Sequence, residues 1–315
     1  MLPMVIAPPV PTQDSRTIEI ALAADVTHLP GIAGVIRSAR HHASMPLNFY
    51  VITLAEHEAS VRRSLECFGV CGPDTQLAAC VTIVLLPLAW LAGRIRVIAD
   101  ASVTGSLHSP LNFARFYLPR LLPRTLQRVL YLDADVILQK DIVALWHAAM
   151  SLPGIAIAAA VPRDEPHFRY RRYAKQCSTI FAARYHHELN YSAPTFNAGL
   201  LAIDLHRWEA ANLSHEADWW MEQHAAAANG LWALGSQPIL HLILHGRWSP
   251  LPAHWNLDGL GRVRHMAPAL LRNAHSLHWT GRRKPWRPDG LYPQLYQEFV
   301  AVPEVHKCAG RQVYR

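Results

Sequence analysis

The sequence predicts an α/β fold, a mainly parallel central sheet flanked by helices. Three observations predict it. Short apolar runs alternate with stretches of helical periodicity through the first half of the chain. With 51% of its 315 residues hydrophobic and 17% charged, the chain has the apolar content to build a large core. No internal repeat and no flexible linker interrupts it, which favours one domain over two.

The elements follow in order. "IEIALAA" at 18–24 reads as a first strand, and the next segment sets Ile32, Val35, Ile36 and Ala39 on one helical face. "LNFYVITL" at 47–54, "VTIVLL" at 81–86 and "RVLYL" at 128–132 read as further strands with helices between them. A short helix is expected over 142–149, a strand "IAIAAAV" from 155, and an irregular basic stretch over 162–194. A strand "GLLAIDL" at 199–205 and a long helix over about 207–228 come next. The expected organisation is an extended lead-in over 1–17, a single domain over 18–290 with an insertion at 162–194, and a C-terminal tail over 291–315.

Composition excludes several classes. The longest apolar runs, at 81–93 and 154–161, are too short to span a bilayer, so no transmembrane segment is expected in this chain. The proline-containing start lacks the basic head and cleavage site of a secretory signal. Five cysteines without CxxC spacing indicate neither a zinc site nor a full disulfide framework. Cys67, Cys71 and Cys80 lie close enough for one bridge, with separate thiols an equal alternative. The net charge of +7 gathers in "FRYRRYAKQ" and "GRRKPWR", which suits phosphates or acidic polymers. No RNA- or DNA-binding module signature accompanies it, so nucleic acid is set aside. "HHELNY" imitates a zinc-protease motif, but Tyr191 stands where the second histidine belongs.

"RVLYLDADVILQKDIVALW" closes an apolar run with Asp133 and Asp135. Side chains at i and i+2 of an extended segment share a side, so two carboxylates converge as a divalent cation requires. They fall at the carboxyl end of a strand, where open α/β sheets place their ligand crevice. A polar lip on a strand is the competing structural reading. "LHWTGRRKPW" adds an imidazole at His278, a flexible backbone at Gly281 and a point charge at Lys284, the means to grip a diphosphate.

Five ordered blocks then carry a resemblance: "LNFARFYLP", "RVLYLDADVILQKDIVALW", "FNAGLLAIDLHRW", "LGSQPILHLILHGRWSPLPAHWNLDGLG" and "LHWTGRRKPW". Together with "IEIALAADVTHLPGIAGVIRSARHH" they resemble glycosyltransferase family 8 over residues 18–286. The likeness is greatest to its galacturonosyltransferase-like branch and weaker to bacterial lipopolysaccharide galactosyltransferases and glycogenin. The resemblance implies a GT-A type, Rossmann-like nucleotide-sugar-binding fold and a retaining transferase that uses a UDP-sugar and Mn²⁺ on a glycan acceptor. It implies Asp133, Asp135 and His278 as metal ligands, and Gly281 and Lys284 at the diphosphate. Ala23 and Asp25 would meet the uridine, Asn112 and Arg115 the donor sugar or its phosphate, and Asn197 and Gln237 the reacting sugar. Each has a structural rival: Arg115 an ion pair, Asp25 a helix cap, Asn197 a turn, Gln237 a helix start. Asp204, between strand and helix, is read as structural.

Bacterial relatives carry a polar or acidic cluster around the position of Gln237, whereas Ser236 and Pro238 flank it here, which favours same-face attack over a covalent intermediate. Arg163, Arg169, Arg171, Arg172, Lys175 and Arg184 in the insertion would suit an acidic acceptor. The alternative function is a non-catalytic nucleotide-sugar or glycan-binding protein, and a third is a nucleotidyltransferase or diphosphohydrolase. Two sequons, at Asn190 and Asn212, are compatible with a Golgi lumen, while bacterial relatives act at the cytoplasmic membrane face, so the compartment stays open.

Overall fold

A computed structural model of the chain describes residues 16–23, 25–73, 75–96, 107, 109–163, 170, 175–232 and 235–309. Its elements run β1 (Ile18–Ala23), α1 (Leu29–His42), β2 (Leu47–Thr53), α2 (Glu58–Cys67), β3 (Val81–Leu85), α3 (Leu118–Leu121), β4 (Arg128–Leu132), β5 (Val136–Leu138) and α4 (Val143–Met150). Then come β6 (Ala158–Arg163), α5 (Lys175–Tyr185), β7 (Thr195–Asp204), α6 (Leu205–Ala210), α7 (Leu213–Ala226), α8 (Gln237–Ile243) and β8 (Trp248–Pro250). The chain continues through β9 (Leu257–Asp258), α9 (Pro268–Asn273), β10 (Ser276–His278), α10 (Pro293–Gln297) and α11 (Val302–Ala309).

The main sheet has the order β3-β2-β1-β4-β7-β6-β8. Its β3-β2-β1-β4 half is parallel, as the alternation of strands and helices predicts. The strand β7 departs from that pattern, running antiparallel to both β4 and β6. A second sheet, β5-β10-β9, pairs β5 antiparallel with β10. Alternation along each strand feeds two cores. On β4, Leu130 and Leu132 face the core that includes α1, while Val129 and Tyr131 face the one that includes α8. Ile32, Val35, Ile36 and Ala39 of α1 are all buried, as their spacing requires.

Several boundaries differ from the sequence expectation. The strand expected from Ile155 begins at Ala158, because Gly154 turns with φ +52 and Ile155 is exposed. The long helix expected over 207–228 is two helices. Asp204 caps α6 by accepting the Arg207 N–H at 2.9 Å, and Asn212, in the left-handed region at φ +53, separates it from α7. Part of the 162–194 stretch is regular: β6 reaches Arg163 and α5 occupies Lys175–Tyr185. The segment expected as a tail from 291 forms α10 and α11, with Tyr296, Val300 and Val305 buried and the Tyr296 hydroxyl donating to the Pro30 carbonyl at 2.6 Å. Among the described residues no helix is long and apolar enough to cross a membrane.

Two disulfides form, Cys71–Cys80 and Cys67–Cys308, leaving Cys177 free and buried. The second ties α2 to α11 across 241 residues of sequence, a loop whose closure removes far more freedom from the unfolded chain than the nine-residue one. The pair Cys67→Ser and Cys308→Ser is expected to lower stability by about 2–5 kcal/mol. The test is the urea midpoint under non-reducing conditions; no change would mean that packing alone holds α11.

His224 on α7 is 2% exposed, accepts the Leu231 N–H on Nδ1 at 2.9 Å and stacks on Trp232. Burial lowers its pKa from 6.5 to about 4. Between these values the unfolded chain takes up a proton that the folded one refuses. Its contribution, on the order of 3 kcal/mol, is therefore fully present above about pH 6.5 and lost as the pH falls toward 4. A His224→Asn protein, which keeps an acceptor for Leu231, is expected to lose less stability than wild type between pH 7 and 5; equal losses by urea titration would rule the histidine out.

Candidate active site

The end of β4 builds the site. Past Leu132 the chain leaves the main sheet and enters β5, so Asp133 and Asp135 sit where the two sheets meet. Backbone pairing places the third member: His278 of β10 lies in register with Val136 of β5, and the Trp279 N–H donates to the Asp135 carbonyl at 3.0 Å. His278 Nε2 then stands 3.2 Å from Asp135 Oδ1 and 3.8 Å from Asp133 Oδ2, and one donor atom from each residue lies within 4.8 Å of the others. Donors held about 2.1 Å from a hard cation lie about 3 to 4 Å from one another, so the trio fits a divalent ion. Two carboxylates with an imidazole suit Mn²⁺ better than Mg²⁺.

Cations brace this cluster. Arg115, from the 3₁₀ helix Pro110–Tyr117, donates to Asp133 Oδ1 and to the Ala198 carbonyl, at 2.9 and 2.8 Å. Burial opposes its charge, but Asp133 overrides that and raises its pKa. The Lys284 ammonium contacts Asp135 Oδ2 and donates to the Trp279 carbonyl at 2.9 Å. Burial would raise the Asp135 pKa, yet Lys284 and His278 outweigh it and hold the group well below the carboxylate range. Gly281 takes φ +114, and a Cβ there would sit 2.3 Å from Arg262 Cγ, so both backbone and space demand glycine.

The remaining predicted residues surround this centre or support it. Asn197 on β7 donates from Nδ2 to Asp258 Oδ2 at 2.9 Å and accepts the Gly199 N–H on Oδ1 at 2.8 Å. Gln237 opens α8, and its Oε1 accepts the Ala198 N–H at 3.1 Å. Asn112 accepts the Ser236 N–H at 2.8 Å, joining the 3₁₀ helix to the start of α8. Ala23 ends β1, and Asp25 caps the turn after it, accepting from Thr27 N at 2.9 Å and from His28 Nδ1 at 3.0 Å. Of the basic insertion, Arg163 pairs with Asp258 and Arg184 with Glu216. Arg169, Arg171 and Arg172 lie outside the described residues, as does the Lys175 side chain.

Three residues at the centre carried no sequence assignment. Asn256 accepts from His278 Nδ1 at 3.0 Å and donates to Asn197 Oδ1 at 3.1 Å. Asp258 lies beside His278 in register. At Gly199 a Cβ would stand 2.1 Å from His278 Cε1. The dipeptide Trp255-Asn256 in "HWNLDGLG" was the available signal, but β9 is only two residues long and offers no periodicity.

Residues 19–290 match the family described as glycosyl transferase family 8. The chain belongs to glycosyl transferase family 8. Glycosyltransferase 8 domain-containing protein 1 of Xenopus tropicalis is 30% identical over 311 residues, covering 93% of this chain and 79% of that protein. Probable galacturonosyltransferase-like 10 of Arabidopsis thaliana is 27% identical over 308 residues, covering 93% and 78%. The solved galactosyltransferase LgtC with donor and acceptor sugar analogues superposes with a TM-score of 0.61 at 19% identity, over 93% of this chain and all of that one. Apo WbbM, a bifunctional glycosyltransferase, gives 0.64 at 18% identity over 95% of this chain, which spans about half of WbbM. These neighbours show the family 8 chain to have the GT-A type fold.

Proposed function

We propose that this family 8 glycosyltransferase moves a hexosyl or galacturonosyl unit from a UDP-sugar to a glycan acceptor with retention of configuration, using Mn²⁺ held by Asp133, Asp135 and His278. The convergence of those three donors beside Lys284 carries the reading. Bound there, the metal supplies positive charge to the departing diphosphate. Lys284 adds its ammonium from the same side, and the Gly281 backbone lets phosphate oxygens approach closely. Arg115 holds Asp133 in place and offsets its charge. With Oε1 committed to Ala198, Gln237 has its amide NH₂ to offer the sugar, and Asn197 keeps one N–H beyond the one given to Asp258. Ala23 and Asp25 border the uridine end, and Asn112 sets the approach of α8.

Ser236 carries a hydroxyl and no carboxylate, and Pro238 has no ionisable group, so neither offers an acidic nucleophile beside Gln237. Asp258 has its Oδ2 engaged by both Asn197 and Arg163. These features support attack by the acceptor hydroxyl on the face the diphosphate leaves. Arg163 and Arg184 are engaged by Asp258 and Glu216, so the preference for an acidic acceptor rests on the sequence charge of Arg169, Arg171, Arg172 and Lys175, and equal transfer to neutral and acidic glycans would count against it.

The test is UDP release over a panel of UDP-sugars with and without acceptor. Chelation is expected to lower turnover by about a hundredfold or more, with Mn²⁺ restoring it. A protein that releases no UDP from any donor would overturn the reading, and release of UMP instead would identify a diphosphohydrolase.

A further inference from the structure

We infer that Asn256 is a positioning residue that sets the tautomer of His278 and couples it to Asn197, through a chain of hydrogen bonds whose polarity the backbone dictates. The inference rests on the proposed metal role of His278. An asparagine side chain is ambiguous about which end is oxygen, but here each end is decided by a group that has no choice. The Gly199 backbone N–H can only donate, so the atom it meets at 2.8 Å is Asn197 Oδ1. The other end of that amide is then Nδ2, facing Asp258 Oδ2 at 2.9 Å, a carboxylate oxygen that accepts.

The same logic continues outward. Asn256 meets Asn197 Oδ1 at 3.1 Å and must present its NH₂ there. Asn256 Oδ1 therefore faces His278 Nδ1 at 3.0 Å, and that nitrogen carries the proton. In the neutral imidazole the lone pair is therefore left on Nε2, the atom turned toward Asp133 and Asp135 and free to take a cation placed between them. A histidine of the opposite tautomer would point an N–H at the cation and could not ligate it.

Burial makes the chain stiff. His278 is 1% exposed, Asn197 4% and Asn256 6%, so water does not replace a lost partner. Parallel pairing of β9 with β10 fixes the spacing, since Leu257 is in register with Leu277 and Asp258 with His278. One amide thus serves two sides of the site: the metal side through its oxygen and the sugar side through its nitrogen.

The experiment measures Mn²⁺ binding to the full chain, free of sugar nucleotide, from the electron paramagnetic resonance signal of unbound Mn²⁺, alongside kcat and melting temperature. Asn256→Leu is expected to weaken Mn²⁺ binding 10- to 100-fold. Asn256→Asp keeps an acceptor for Nδ1–H, so its Mn²⁺ affinity is expected within about threefold of wild type. It sets a carboxylate oxygen against Asn197 Oδ1, so its kcat is expected to fall at least about tenfold. Wild-type affinity in a folded Asn256→Leu protein overturns the relay alone. Should that variant not fold, Asn256→Asp decides: weakened Mn²⁺ binding or unchanged kcat overturns the relay. Wild-type protein that binds no Mn²⁺ overturns the metal reading and the relay with it.

Discussion

Asp135→Asn is expected to cut donor turnover by about a thousandfold while the protein still folds. The carboxylate is 8% exposed and faces His278 Nε2 at 3.2 Å on one oxygen and Lys284 on the other. Removing its charge withdraws one of the two anionic ligands proposed for the metal, and a metal's stabilisation of a leaving group is worth several kcal/mol, which sets the thousandfold scale. The amide keeps the shape of the side chain and an acceptor for Lys284, whose second bond to the Trp279 carbonyl is untouched. Stability is expected to fall by about 1–3 kcal/mol, since the Lys284 ammonium keeps a hydrogen-bond acceptor but loses its counter-charge. UDP release and a thermal melt on the same preparation test both halves. Turnover at a tenth of wild type would remove Asp135 from the metal site.

Gly199→Ala is expected to lose about a hundredfold in turnover without touching any group that bonds the substrate. The added methyl would stand 2.1 Å from His278 Cε1 and 2.8 Å from Asp133 Oδ2, well inside any tolerable contact. Residue 199 lies within β7, buried along its whole length, and its carbonyl accepts the Asp133 N–H at 2.8 Å, so the backbone resists retreat. The imidazole is the part that moves, out of line with the two carboxylates. Metal sites tolerate ligand displacements of only about 0.2 Å, so affinity for the proposed Mn²⁺ is expected to fall with turnover. Overpacking of this kind costs about 1–3 kcal/mol of stability as well. Full activity with an unchanged melting temperature would show that the space exists and that His278 is not held as described.

Much of the fold was legible because its signals are local. The strands β1 to β4 and the buried face of α1 follow from runs and periodicities a few residues long, and the structure reproduces them nearly to the residue. Asp133 and Asp135 were legible for the same reason, two carboxylates on one side of an extended segment. The break between α6 and α7 was not, because both carry apolar helical faces and the interruption rests on the left-handed backbone of one asparagine. Cys67–Cys308 was invisible because its partners are 241 residues apart.

The site divides along the same line. Single residues carry the proposed chemistry: a pair of carboxylates, an imidazole and a lysine in the order typical of one family, attached to a strand that had to end near them. Folding alone brings Gly199 of the antiparallel strand β7 against His278 and Asn197 against Asn256, and the β9–β10 pairing sets Asn256 behind the ring. The physical reason is that ligand identity is a property of single side chains. Ligand orientation depends on buried hydrogen bonds between residues that only folding makes neighbours.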